Sequence, residues 1–100
     1  MNLEQLLKKL QEDFDYPEAG ARLVAQKIVN FQPEVRTAFD HFIERGEKPT
    51  ITIQDYDFDR LTEAYQMKPI AAFLTLDWLA REPDEAVKKL AKGFDTVKSD

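Results

Sequence analysis

The sequence contains no cysteine, one histidine and three glycines among its 100 residues. Without cysteine the chain cannot form disulfides, thiolate nucleophiles or cysteine-ligated zinc and iron–sulfur centres. The glycines at positions 20, 46 and 93 are too far apart to build a Gly-rich phosphate loop, and the only serine is Ser99, near the C-terminal end. We therefore expect no catalytic residues, no cofactor and no enzymatic activity.

Two features could suggest a metal site, and both are incomplete. Aspartates occupy the first, third and fifth places of a possible calcium loop, at Asp55, Asp57 and Asp59. The loop would need Gly and Glu where the chain has Arg60 and Gln66, so we interpret the aspartates as acidic residues favoured at a helix N-terminus. The single histidine, His41, lies away from the apolar positions of its helix and has no second histidine to share a zinc ion with. We expect His41 to be an exposed surface residue, and the chain to hold no metal.

The balance of charge is acidic, with 14 Lys and Arg against 19 Asp and Glu and a net charge of −5. Nucleic-acid affinity comes largely from neutralising phosphates, so this balance argues against a nucleic-acid partner. The longest apolar stretch, residues 70–79, is about half the roughly 20 residues needed to cross a bilayer, and predicts no membrane association. The N-terminus lacks a basic region followed by an apolar run, which predicts no signal peptide and a cytoplasmic location.

Composition and periodicity together predict a single helical domain over residues 1–100. The chain is 43% hydrophobic and 33% charged, which is typical of a folded protein. The apolar spacing predicts an all-α fold, a compact bundle of five or six helices with a helix-turn-helix-like core and at most one short strand.

Local signals set the predicted helix ends. Asn2 and Gln5 form the pattern of a capping box at the start of helix one, and a break is expected near residues 14–16. Helix two is predicted to reach about residue 30 and to bury Leu23, Val24 and Ile28. The third helix is predicted to begin at Pro33 and end at Gly46.

The second half of the chain holds the only strand-like run, residues 50–54, which alternates β-branched apolar and polar side chains. A short strand needs a pairing partner, and none is evident in the sequence, so we expect it to pair across a dimer or to remain merely extended. Asp57 is predicted to cap a fourth helix. Pro83 is predicted to start the last helix, with Gly93 as its C-cap.

The central feature is the helix over residues 70–79, which is apolar on nearly every side. Asp77 interrupts it, and two interpretations are open. If Asp77 is buried, it needs a partner such as Arg60 or Arg36. Helical geometry favours the alternative, in which Asp77 and Arg81 mark a solvent-facing strip.

An exposed strip would bring neighbouring apolar side chains to the surface. The candidate interaction surface defined this way consists of Ile70, Phe73, Leu74, Asp77 and Trp78. An exposed apolar patch usually marks an interface, so we predict a protein–protein interaction module, with an unknown protein partner or a homodimer. The competing interpretation is a compact monomer in which the first, second and last helices cover this surface.

The second half of the chain also resembles a known fold. Buried positions of a helix-turn-helix are matched by Leu61, Tyr65, Met67, Ala72, Leu76 and Leu79. The order of helix, strand, helix and helix over residues 33–82 resembles winged helix-turn-helix domains, and Leu-Asp-Trp-Leu-Ala-Arg-Glu at 76–82 is similar to the end of the third helix in a family of small bacterial winged-helix domains of unknown function. The resemblance implies a fold without an activity.

The resemblance stops at Pro83, because a winged domain continues into a β-hairpin and this chain continues into a predicted helix. The outward positions of the would-be recognition helix include Phe73, Leu74 and Asp77, whereas base edges and phosphates are read mainly by Arg, Lys, Asn, Gln and Ser. Because of the helix-turn-helix resemblance, a DNA-binding transcriptional regulator is the alternative function, although these residue types argue against it. A small-molecule pocket among Phe39, Phe42, Tyr65 and Trp78 has no polar group to support it, and we interpret these aromatic residues as core.

Overall fold

A computed structural model describes the backbone of residues 2–98 and the side chains of residues 2–92. Helices account for 73% of the chain, and the described part holds six of them and one small two-stranded sheet, which confirms the predicted all-α class. The chain divides into two compact units, Met1–Phe31 and Gln32–Asp100. Among the described helices, none is long and apolar enough to cross a bilayer.

The first unit is a pair of helices, α1 (Leu3–Asp13) and α2 (Glu18–Val29). The predicted capping box is present, since the Gln5 backbone N–H donates to Asn2 Oδ1 at 2.8 Å and the Asn2 N–H donates to Gln5 Oε1 at 3.1 Å. The fully buried positions of the unit are Leu6, Leu10, Ala21, Ala25 and Ile28. The prediction that Leu23 is buried was wrong. Its side chain is 65% exposed, because the buried stripe of α2 follows two alanines instead.

The second unit begins with α3 (Pro33–Arg45), which starts at the predicted proline. The helix ends at Gly46, as predicted, in the left-handed conformation with φ 70°. The Gly46 N–H donates to the Phe42 carbonyl at 3.0 Å, which satisfies one of the last acceptors of the helix. Residues 47–51 then continue without regular secondary structure.

The strand-like run pairs within the chain. Strands β1 (Thr52–Ile53) and β2 (Tyr56–Asp57) are antiparallel, with Ile53 opposite Tyr56. The two-residue turn between them has φ 52° at Gln54 and 67° at Asp55, the pattern of a type I′ turn. The expectation that this strand lacks a partner in the chain was therefore wrong. Such turns favour Asn-Gly, and Gln-Asp carries no comparable signal in the sequence.

A short helical segment follows the hairpin and passes into the π-helix Arg60–Ala64. The predicted cap is confirmed, since Asp57 Oδ1 accepts the Arg60 backbone N–H at 2.7 Å. The widened turn is closed by the Tyr65 N–H, which donates to the Arg60 carbonyl at 3.3 Å. Gln66 then reverses the chain with φ 56°.

Two longer helices complete the unit, α4 (Pro69–Arg81) and α5 (Pro83–Lys98). Helix α5 runs through Gly93, so the predicted C-cap at that residue was wrong. Up to residue 98 the chain has no β-hairpin after α4, as expected from the predicted last helix. The tail residues 99 and 100 lie outside the described residues.

Candidate interaction surface

The five residues of the predicted surface do not lie together at the surface. Ile70 and Phe73 are buried, with 2% and 0% of their surface exposed. Leu74 and Trp78 are half-buried. The prediction that Ile70 and Phe73 lie at the surface was therefore wrong, because neighbouring elements cover more sides of α4 than the exposed-strip interpretation assumed.

Phe73 lies at the centre of an aromatic cluster made with Phe39, Phe42 and Phe58. Its ring centroid is 5.2 Å from that of Phe39 in an edge-to-face arrangement, and 5.3 Å from those of both Phe42 and Phe58. Phe42 and Phe58 also contact each other at 5.5 Å. The cluster joins α3, the start of the short helix and α4, so Phe73 is a core residue of the second unit.

Among residues 2–92, Asp77 is the one buried polar or charged residue, with 8% of its surface exposed. Oδ1 accepts the backbone N–H of Gln32 at 2.8 Å, and Oδ2 accepts Nε of Arg81 at 2.7 Å. The burial interpretation is therefore correct, but its partner is Arg81, one turn further along the same helix. Arg36 pairs with Asp40 at 3.1 Å instead, and Arg60 lies over the Tyr56 ring at 4.4 Å.

The carboxylate of Asp77 links two helices. Gln32 is the N-cap residue of α3, and its own side chain makes no capping hydrogen bond. Asp77 on α4 supplies an acceptor to the backbone at that position across a sequence separation of 45 residues. The contact fixes the start of α3 against α4 and leaves Asp77 with both oxygens hydrogen-bonded.

Five residues of α4 that are not buried lie along one face of the helix, three, one, three and three positions apart. We call it the α4 stripe, and its members are Ala71, Leu74, Thr75, Trp78 and Arg81. The Thr75 hydroxyl donates to the Ala71 carbonyl at 2.8 Å and is thus satisfied within the helix. Arg81 is exposed but donates Nε to Asp77. The stripe therefore presents mainly apolar surface, with one guanidinium at its end.

The side chains presented by α4 and the aromatic contacts bear on the DNA-binding and small-molecule-pocket hypotheses. The helix that would enter a major groove presents two cationic side chains, Lys68 at its N-cap and Arg81 in its last turn, and Arg81 is engaged with Asp77. The aromatic residues considered for a pocket take part in separate contacts. The Tyr65 ring centroid lies 5.8 Å from that of Tyr56, whereas Phe39 and Phe42 contact Phe73. Its interpretation as core is correct for Phe39, which is 1% exposed.

The acidic segment behaves as a helix start. Asp57 caps the short helix, and Asp59 Oδ1 lies 3.0 Å from Lys48 Nζ. The hydrogen bond and the charge of Asp59 raise the pKa of Lys48, with a smaller contribution from the charge of Glu63. Among the described residues, no three His, Cys, Asp or Glu side chains converge as metal ligands would.

The structure also contains a groove that the sequence did not suggest. It lies between α3 and the segment that follows it, and has a volume of about 410 Å³. It is lined by Glu34, Thr37, Ala38, His41 and residues 47–51. His41 lines this groove, with Nδ1 3.8 Å from Glu47 Oε2, and its side chain is 43% exposed, in agreement with the predicted surface position.

In comparisons with known proteins, no family model, curated protein or solved structure matches the chain.

Proposed function

We propose that this protein is a non-enzymatic interaction module that binds another protein, or a second copy of itself, through the α4 stripe. The observation that carries the proposal is the partial exposure of Leu74 and Trp78 on a helix whose other large apolar side chains are buried. Apolar side chains arranged at helical spacing on one face are the usual contact element of helix-mediated association.

Electrostatics favour a protein over a nucleic acid as the partner. The chain carries a net charge of −5, and the one arginine of the stripe is held by Asp77. A surface that is apolar at its centre and charged at its edge resembles a protein interface more than a phosphate-binding face. A cytoplasmic location is part of the proposal, since a chain without cysteine suits a reducing compartment.

The first test is molar mass by light scattering over a range of protein concentrations, for the original chain and for Leu74→Gln. Leu23→Gln is the matched control, because Leu23 is 65% exposed and lies on α2. We expect a concentration-dependent dimer that Leu74→Gln dissociates and Leu23→Gln leaves intact. A strict monomer would exclude the homodimer.

A partner of different sequence is tested by placing a photoreactive amino acid at Thr75, in the middle of the stripe, and at Leu23 as control. We expect a specific crosslinked protein from position 75 and none from position 23. Equal labelling from both positions, or no crosslink at all in cells that express the chain, together with a strict monomer, would overturn the interaction function.

The alternative is DNA binding, and the order of elements in the second unit favours it as the second candidate. A short helix, a turn at residues 65–68 and α4 follow one another as in a helix-turn-helix. This function predicts binding to duplex DNA that weakens steeply as salt rises. The absence of duplex binding at low salt would exclude it.

A further inference from the structure

The edge of the small sheet has backbone groups without partners. A two-residue hairpin turn makes the residues that flank it, Ile53 and Tyr56, the pair that exchanges both hydrogen bonds. The next position, Thr52, is therefore a non-hydrogen-bonded one, and its N–H and C=O point away from β2. Within the described residues, neither the backbone nor the side chain of Thr52 forms a hydrogen bond outside the hairpin, and the residue is exposed.

The chain that leads into this edge forms one wall of the groove. Residues 47–51 line it on one side, and the opposite wall is α3, from Glu34 to His41. Its volume of about 410 Å³ is within the range of ligand-binding clefts, about 300–1,000 Å³. An extended peptide can add as a further strand to an exposed sheet edge, and the edge residue Thr52 directly follows the lining residue Ile51.

The charges lining the groove indicate the chemistry of its occupant. Lys48 is paired with Asp59 at 3.0 Å, and Glu47 has His41 and Arg45 within 4 Å. Glu34 is exposed and has no ion-pair partner among the described residues. The unpaired charge of the groove is thus one carboxylate, which complements a basic side chain. The half-buried apolar lining residues are Ala38, Pro49 and Ile51, and they suit a small or β-branched side chain.

We propose that this groove binds an extended segment of a partner protein, which pairs with the outer edge of β1 at Thr52 and places a Lys or Arg side chain near Glu34. The site shares no residue with the α4 stripe, and is independent of the function proposed for that stripe. Main-chain hydrogen bonds to the edge provide affinity, and the alternate side chains that face α3 provide selectivity.

The test begins with a phage-displayed library of random heptapeptides, selected against the purified full chain. We expect enriched peptides to contain β-branched residues and one Lys or Arg. The best peptide is then synthesised, and its Kd is measured by fluorescence polarisation. In a ¹⁵N-labelled sample, it is expected to shift the amide signals of Thr50 and Thr52.

Four variants make the test specific. Thr52→Pro removes the outward N–H but keeps the carbonyl, and we expect the loss of this one hydrogen bond to raise the Kd up to about tenfold. Thr52→Val keeps the N–H and is the matched control. Thr37→Trp fills the groove from the exposed side of α3 and is expected to abolish binding without touching the strand. Glu34→Lys is expected to change the selected peptides from basic to acidic.

Three results would overturn the proposal. The first is a library that yields no enrichment over an unrelated bait. The second is a peptide that binds Thr52→Pro and Thr37→Trp as tightly as the original chain, while circular dichroism shows both variants to be folded. The third is a dimer that Thr52→Pro dissociates, which would assign the strand edge to a second copy of the chain.

Discussion

Replacement of Phe73 by alanine is the perturbation that best separates a core residue from a surface residue. The side chain has 0% exposure and contacts three other phenylalanine rings, at 5.2, 5.3 and 5.3 Å. Truncation of a buried Phe costs about 3–5 kcal/mol of the free energy of unfolding. The loss of three aromatic contacts at once places Phe73→Ala towards the upper end of that range, since such pairs contribute about 0.5–1.5 kcal/mol beyond area burial.

The assay is urea unfolding followed by circular dichroism, with Leu74→Ala as the comparison on the same helix. A loss of about 4 kcal/mol lowers the urea midpoint by roughly 2–4 M if m is near 1–2 kcal/mol/M, enough to unfold a domain of ordinary stability. Leu74 is half-buried, and its truncation should cost clearly less. Phe73→Leu, which keeps most of the volume, should recover most of the lost stability.

The reasoning would be refuted if Phe73→Ala changed the free energy of unfolding by less than 1 kcal/mol, or by no more than Leu74→Ala does. That result would return Phe73 to the surface, where the sequence alone placed it. A change in molar mass without a change in stability would point the same way.

Further predictions concern the hairpin, the buried carboxylate and the exposed ion pair. Asp55→Gly relieves a left-handed φ of 67° and should stabilise the chain by about 1 kcal/mol in urea unfolding, so a loss of stability would contradict the assigned turn. Asp77→Ala leaves the Gln32 N–H without its acceptor, and should cost about 2–3 kcal/mol by the same assay, whereas Asp77→Asn keeps one acceptor and should cost less. Asp59 raises the pKa of Lys48 above its ordinary value of 10.5, so this pair's contribution to stability is present below pH 10.5 and is lost as the pH rises through the raised pKa. The midpoint temperature of thermal unfolding, Tm, should therefore fall less steeply between pH 9 and 12 for Lys48→Met than for the original chain. Parallel plots of Tm against pH would show that the Lys48–Asp59 pair does not contribute in this way.

Much of the helical framework was predictable because its signals are local. A capping box needs only Asn2 and Gln5, and both of its hydrogen bonds are present. Proline at a first helical position and glycine just past a helix end fixed the limits of α3. These rules concern the backbone within one turn, and tertiary packing had little influence on them.

The candidate sites were less predictable because their residues are assembled by packing. The groove at α3 depends on the path of residues 47–51, and that path carries no periodic pattern. The free edge at Thr52 depends on a type I′ turn formed by Gln54 and Asp55, and Gln seldom adopts positive φ. The winged-helix resemblance and the single-domain assignment stay predictions.

The sequence by itself determined that the chain is mostly helical, where several helices begin and end, and that residues 70–79 form its most apolar helix. Only the tertiary structure decided which sides of that helix are covered. Periodicity shows how wide the apolar face of a helix is, but not which elements pack against it. Whether Phe73 and Asp77 are buried was therefore decided only by the packing of α3 and its N-cap beside them. The burial of Asp77 is stable because packing brings the Gln32 N–H to its carboxylate, a partner 45 residues away that no local pattern could supply.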